Sequence, residues 1–340
     1  MTQKIDGLLA GKLVCFFDLA NSSELAMVNE MRHQTNEDTF LIQNTDKEDI
    51  IARARNIFDY IDEYGLDGQD ALIYEMTCKK LVIQGHLMQM GTYKQGITNV
   101  GTYLSTDYNQ PLAEYGAYDM DIKGFPEVRL RTMGSIFQAE VTSGNGSKST
   151  GTAFLIENNY LVTARHVIEK NEGVTFIDSQ GRKLASPESI MFHSHSDVDV
   201  AVIKYGNNTF AGFRAIKMGR GEILDEILSL GYPRIIGDIK NMLICTTGQI
   251  AATTKTFTDG SDFDIHVITA KVKGGNSGGP IVNRLGMAVG IVTSLEYNDE
   301  TTPEGKEFGF CTHIDRVNEI IKNGISRKFD YEGNNIILYN

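Results

Sequence analysis

Apolar residues fall into short blocks along most of this chain, and the spacing inside each block predicts its element. Lys12 to Ser23 is apolar near its start and reads as a buried strand followed by a turn, with Ser22 or Ser23 placed to cap a following helix. Phe40 to Ile42 reads as a short strand. From residue 47 to 64 the period changes, with Ile50, Ile51, Ala54, Ile57, Phe58 and Ile61 on one face of a predicted helix. Asp46 would cap that helix and Gly65 would end it. Ala71 to Tyr74 and Leu81 to Ile83 read as further strands. The part before about residue 129 is therefore expected to be α+β. Beyond it, strand blocks dominate: Tyr160 to Ile168 reads as a buried strand entering a short turn, and Val200 to Lys204 as an apolar strand. Asp315 to Asn323 has helical spacing, with Gly324 placed to cap it. The stretch 334–340 is apolar and strand-like.

Composition narrows the class. The chain has 340 residues, 41% hydrophobic and 22% charged, which suits about two globular domains. We expect an α+β domain over 1–128, a β-rich domain over 129–328 and a tail over 329–340. No apolar run is long enough to span a membrane, and the first residues lack a secretory apolar core. The four cysteines, Cys15, Cys78, Cys245 and Cys311, show neither metal-type nor disulfide spacing, which points to the cytoplasm. The net charge of −12 is uneven. Residues 1–128 hold 10 Lys and Arg against 20 Asp and Glu, whereas 129–340 hold 22 against 24. The acidic excess argues against nucleic-acid binding by the first part and suits a solvated face or a basic partner.

The chemistry concentrates in Gly275-Asn276-Ser277-Gly278-Gly279-Pro280. Glycine costs backbone entropy, so a serine flanked by glycines needs a reason. An activated nucleophile is one: small neighbours admit a substrate carbonyl, and nearby N–H groups can meet the oxyanion that forms. A Gly-rich turn is the alternative. Such a serine needs an imidazole base, and His166 sits at the strand end in Thr163-Ala164-Arg165-His166. The imidazole needs a carboxylate, and Asp199 opens the apolar strand that follows it. Two other motifs carry less. Gly144 to Thr150 lacks the spacing of a phosphate loop and reads as a hairpin loop. His193-Ser194-His195 has no third metal ligand nearby in sequence and reads as an exposed loop.

Gly151-Thr152-Ala153-Phe154-Leu155-Ile156, Thr163-Ala164-Arg165-His166-Val167, Asp199 to Lys204 and Gly275 to Pro280 together resemble the trypsin-like serine proteases, closest to the Do/HtrA type. The similarity covers about residues 129–325, including Leu228 to Pro233 and Gly290 to Ser294. It implies two antiparallel six-stranded barrels. It also implies Ser277 as nucleophile, His166 as base then acid, and Asp199 as its orienter. The N–H groups of Gly275 and Ser277 would form the oxyanion hole, and the protease would need no cofactor. Its substrate would be a protein or peptide. Digestive-type members carry an aspartate before the serine, which pairs with a newly cut N-terminus. Asn276 stands there and cannot make that ion pair, so control must come from elsewhere. The same alignment places Lys271 near the base of the specificity pocket and Val272, Thr293, Leu295 and Gly309 on its walls. A pocket lysine would favour an acidic side chain; alternatively Lys271 reaches solvent.

Phe16-Phe17-Asp18-Leu19-Ala20-Asn21 resembles the opening of class III nucleotide cyclase domains, with Glu37-Asp38 where that family has its second metal aspartate. Asp121-Ile122-Lys123-Gly124 resembles the segment that closes such domains. The resemblance implies a divalent ion on Asp18 and Asp38 and a nucleotide ligand. The short Asp18 to Asp38 spacing and the lack of the family's transition-state Asn and Arg depart from it. The expectation is a gated serine endopeptidase whose first domain senses a nucleotide or a regulatory protein, a layout that would suit antiviral defence. The alternatives are a catalytically silent protease-fold scaffold and a cyclase-like enzyme with an appended protease.

Overall fold

Residues 8–18, 54–105, 108–143, 146–169, 171–233, 242–258, 261–293 and 308–339 are described in the computed structural model. The chain divides into two units, Met1–Gly124 and Phe125–Asn340.

In the first unit, Leu9–Phe16 is a helix, not the strand expected there. Leu9, Ala10, Leu13, Val14 and Phe17 recur at helical spacing and are all buried. A short apolar run does not distinguish strand from helix, and here the 3.6-residue period prevails. The strand that a cyclase-like opening requires before Asp18 is therefore absent, and that resemblance is not supported. Ala71–Ile83 is likewise one helix rather than two strands. It buries Glu75, Cys78 and Leu81 while exposing Leu72, Met76 and Ile83, so apolar residues on both faces hide its amphipathicity. The described part of the expected 47–64 helix begins at Ile57 and ends at Tyr64, with Ala54 to Asn56 outside it. Asn56 accepts from the N–H groups of Phe58 and Asp59, and Asp59 accepts from the N–H of Asn56. This capping box fixes the start. Gly65, at φ 59°, ends the helix in the left-handed conformation that glycine tolerates. Phe40 to Ile42 and Asp46 lie outside the described residues. Strands β1 (Arg55–Asn56), β2 (Leu87–Gln95) and β3 (Thr98–Ser105) form an antiparallel sheet in the order β1-β3-β2.

The second unit is built from two antiparallel barrels. Strands β4 (Ile136–Thr142), β5 (Lys148–Ile156), β6 (Tyr160–Thr163), β7 (Gly173–Ile177), β8 (Ser189–Phe192) and β9 (Ala201–Lys204) pair in the order β8-β9-β6-β5-β4-β7. Alternation sends Phe137, Ala139, Ala153, Leu155, Leu161 and Ile203 into one core. Strands β10 (Glu226–Gly231), β11 (Ile244–Thr258), β12 (Ser261–Ile268), β13 (Pro280–Asn283), β14 (Ala288–Val292) and β15 (Gly309–His313) close completely. Their core holds Ile227, Ile250, Ile268, Ile281, Val289 and Val292.

The end of the chain differs from the expected tail. Asp315–Asn323 is a helix as expected. Gly324, at φ −67°, caps it without the left-handed turn; a Cβ there would meet the Ile320 carbonyl at 2.4 Å. Strand β16 (Ile325–Arg327) then adds to β8, and the hairpin of β17 (Phe329–Glu332) and β18 (Asn335–Leu338) adds to β7. The first barrel's sheet thus reaches nine strands. Ile336 is buried in its core, and the Thr175 hydroxyl donates to the Asn334 carbonyl at 2.8 Å.

Candidate active site

His166 lies in the short helix Arg165–Glu169, directly after β6. Asp199 sits in the loop before β9, between the buried Val198 and Val200. Its carboxylate accepts twice from His166: from the backbone N–H at 2.9 Å and from Nδ1 at 2.7 Å. A carboxylate only accepts, so Nδ1 carries the proton and Nε2 is left as the basic nitrogen. The double contact fixes ring and backbone together.

Two further side chains hold this turn, and sequence reasoning gave neither a role. Asn171 donates from Nδ2 to the carbonyls of His166 and Val167, at 3.1 and 3.0 Å, satisfying the end of the helix. Arg165, 8% exposed as a residue, pairs its guanidinium with Glu169 and donates to the carbonyls of His193 and His195, each at 3.4 Å. Arg165 thereby ties the His166 helix to the loop that delivers Asp199. In that loop His193 faces Glu319 at 3.3 Å and stacks on His195.

Ser277 comes from the second barrel, in the turn before β13. A cleft of about 420 Å³ lies between the barrels, lined by Thr150, His166, Asn171, Gly274, Gly275 and Ser277 among others. The structure thus brings His166, Asp199 and Ser277 together at one place. The glycines have steric reasons to be there. Gly275 sits at φ 102°, and a Cβ would meet the Tyr232 carbonyl at 2.4 Å. Gly278 sits at φ 83°, and a Cβ would meet the Thr152 carbonyl at 2.2 Å. Both the left-handed backbone and the lack of space exclude larger residues. The Asn276 N–H donates to the Lys273 carbonyl at 2.9 Å and closes the turn that presents Gly275. The Asn276 side chain points inward, 3% exposed, and its Oδ1 has no hydrogen-bond partner among the described residues.

The expected pocket residues divide. Val272 and Gly309 come together: a Cβ on Gly309 would lie 2.7 Å from Val272 Cγ2. Thr293 is buried, 3.2 Å from the Thr312 hydroxyl. Lys271 is exposed, its carbonyl accepting from the Thr246 hydroxyl at 2.9 Å. Leu295 lies outside the described residues. Of the metal candidates in the first unit, Asp18 forms an isolated bridge with Ser105, and Asp38 lies outside the described residues. Among the described residues no three His, Cys, Asp or Glu side chains converge as a metal site.

Residues 151–291 match the family described as Trypsin-like peptidase domain. Over 190 residues the chain is 29% identical to a probable periplasmic serine endoprotease, DegP-like, of Rhizobium meliloti, covering 52% of this chain and 34% of the relative. It is 30% identical over 158 residues to serine endoprotease DegS of Escherichia coli, covering 45% of this chain and 42% of the relative. The chain thus spans well under half the length of these curated relatives. Among solved structures, Rv3671c protease from M. tuberculosis in its active form aligns at 20% identity and a TM-score of 0.47, covering 57% of this chain and 82% of that one.

Proposed function

We propose, from the match of residues 151–291 to the Trypsin-like peptidase domain family, that this chain is a serine endopeptidase that hydrolyses protein or peptide substrates. In this reading His166 Nε2 takes the Ser277 proton as the hydroxyl attacks the scissile carbonyl. The N–H groups of Gly275 and Ser277 receive the oxyanion. His166 then protonates the leaving amine, and water repeats the sequence to release the acyl group. Asp199 stabilises the imidazolium formed in both halves. The observation that carries the reading is the doubly bonded His166–Asp199 pair in the cleft that Ser277 lines. Val272 and Gly309, meeting closely, are assigned to a small primary pocket, with Lys271 reaching solvent outside it.

Fluorophosphonate labelling tests the chemistry. Wild type is expected to label at Ser277 and to cleave fluorescein-casein, and Ser277→Ala to do neither. Wild type that stays unlabelled alone, with casein, and with ATP or GTP would overturn the enzyme in favour of a binding scaffold.

Control is assigned to the first unit, on the observation of a cavity of about 470 Å³ lined by Lys12, Cys15, Tyr60, Tyr64, Tyr108 and Glu114 among others. That size and aromatic lining suit a small ligand, and a nucleotide is the first candidate. A thermal shift with ATP, GTP or cyclic nucleotides that is lost in Tyr60→Ala supports it; no shift with any of them removes nucleotides from consideration. We also place the protein in the cytoplasm, because its four cysteines are free thiols, two of them buried. The relative named periplasmic argues the other way, and cell fractionation decides. Among the described residues no helix is long and apolar enough to cross a membrane.

A further inference from the structure

Thr152 lies on β5, where its neighbours Gly151, Ala153 and Leu155 face the core of the first barrel. Strand alternation turns Thr152 to the opposite side, toward the second barrel. It is fully buried, and every polar group it owns is engaged. Its hydroxyl donates to the Gly275 carbonyl at 2.7 Å and accepts from the Tyr232 N–H at 2.9 Å. Its backbone N–H donates to the Ser277 carbonyl at 2.8 Å. Its carbonyl accepts from the Thr163 hydroxyl at 2.7 Å, one residue before Ala164-Arg165-His166.

Gly275 and Ser277 are the two residues whose N–H groups are assigned to the oxyanion. Each is held through its own carbonyl by Thr152. These carbonyls belong to the planar Gly275–Asn276 and Ser277–Gly278 peptide units, which flank the unit that carries the Ser277 N–H, so fixing both limits how that unit can rotate. The surroundings are cut to admit this contact. A Cβ on Gly231 would lie 3.1 Å from the Thr152 hydroxyl, and a Cβ on Gly279 would lie 3.2 Å from its methyl group.

We infer that Thr152 is the positioning residue of the oxyanion turn: a buried hydroxyl relay, running from the Tyr232 N–H to the Gly275 carbonyl, that sets the donors against the reacting carbonyl. The inference rests on the serine-protease reading. A valine in its place has the same shape but leaves the Tyr232 N–H and the Gly275 carbonyl without their partner. A serine keeps the relay. Removing an oxyanion donor outright costs about 10²–10³ in kcat. Misaligning donors that remain should cost less, about 10- to 100-fold.

The test compares wild type with Thr152→Val, Thr152→Cys and Thr152→Ser in the full chain. Two measurements are made: the rate constant of Ser277 phosphonylation by a fluorophosphonate, and amide hydrogen exchange over residues 273–279. Thr152→Val should label about 10- to 100-fold more slowly and exchange faster over the turn. Thr152→Ser should restore both, and Thr152→Cys, a weaker donor of similar size, should fall between. In a Ser277→Ala background, Thr152→Val should leave the Kd of a casein peptide within about twofold, because ground-state binding does not use the donors. If Val exchanges and labels like wild type, the relay is refuted. It is equally refuted if Ser is as slow as Val. Should Val not fold, the Cys and Ser variants decide by the same two readouts. Failure of the protease reading looks different: wild type itself does not label, while hydrogen exchange still reports whether Thr152 holds the turn.

Discussion

Replacing Asn276 with aspartate would restore the residue that digestive-type relatives carry, and the structure predicts a pH-dependent loss of stability. The side chain is 3% exposed, and its Oδ1 has no partner among the described residues. It lies against Gly231, where a Cβ would be 2.7 Å from Oδ1. A carboxylate there loses its hydration without gaining a counter-charge, so its folded pKa rises. Burial of this degree raises a carboxylate pKa by about 3 units, and each unit is worth about 1.4 kcal/mol, which gives about 4 kcal/mol. The sign follows from proton binding. Below the unfolded pKa of about 4 the group is protonated in both states and the penalty vanishes. Between that value and the raised folded pKa only the unfolded state ionises, so stability falls as pH rises. Urea unfolding of wild type and Asn276→Asp at pH 4.5 and pH 7.5 measures this. The gap between them should widen by about 2–4 kcal/mol at the higher pH. A gap that stays constant or narrows would refute the reasoning, because it would mean that the carboxylate finds a cation on folding.

Two further outcomes are expected. His266 is buried in the second barrel beside His313, and burial, then the neighbouring imidazole, lowers its pKa to about 4. Its contribution is present above the unfolded value of about 6.5 and fades as pH falls from there to about 4, a loss of roughly 3 kcal/mol. His266→Gln should remove most of that dependence in urea unfolding, and an unchanged pH profile would contradict it. Leu224 is 70% exposed and held at φ 76°, a conformation that costs a branched side chain roughly 1–2 kcal/mol. Leu224→Gly should therefore stabilise by about 0.5–1 kcal/mol after the entropy of the added glycine is deducted, and a drop in Tm would argue that the side chain is needed.

What could be read from sequence follows the range of the forces involved. Ser277, His166 and Asp199 sit in short segments whose glycines and apolar strands signal them locally, so their strand ends were legible. Arg165 and Asn171 were not, since their value lies in contacts with carbonyls that only the folded loop brings near. Thr152 carried no local signal of its role, because its partners are 80 and 123 positions away. The strand-like character of 334–340 was legible, but its pairing was not, because its partner β7 lies far upstream. In the first unit the failure had another cause. The helices Leu9–Phe16 and Ala71–Ile83 are short or apolar on two faces, so periodicity, the only local signal, was blurred.

The placement of the site also says where control of it has leverage. His166 and Asp199 come from the first barrel and Ser277 from the second, so their mutual geometry is set by the seam between the barrels. Among the described residues the hydrogen bonds across the seam include the Thr152 relay, the Thr150 hydroxyl on the Tyr232 carbonyl at 3.3 Å, and the Tyr232 hydroxyl on the Ile136 carbonyl at 3.5 Å. Close packing gives each barrel low compressibility, so a displacement of one passes to the other through these contacts. A displacement of about 1 Å between reacting groups costs on the order of 10²-fold in rate. In the reading of Ser277 as nucleophile, a displacement of that size at Thr152 or Tyr232 would slow acylation without touching the triad itself.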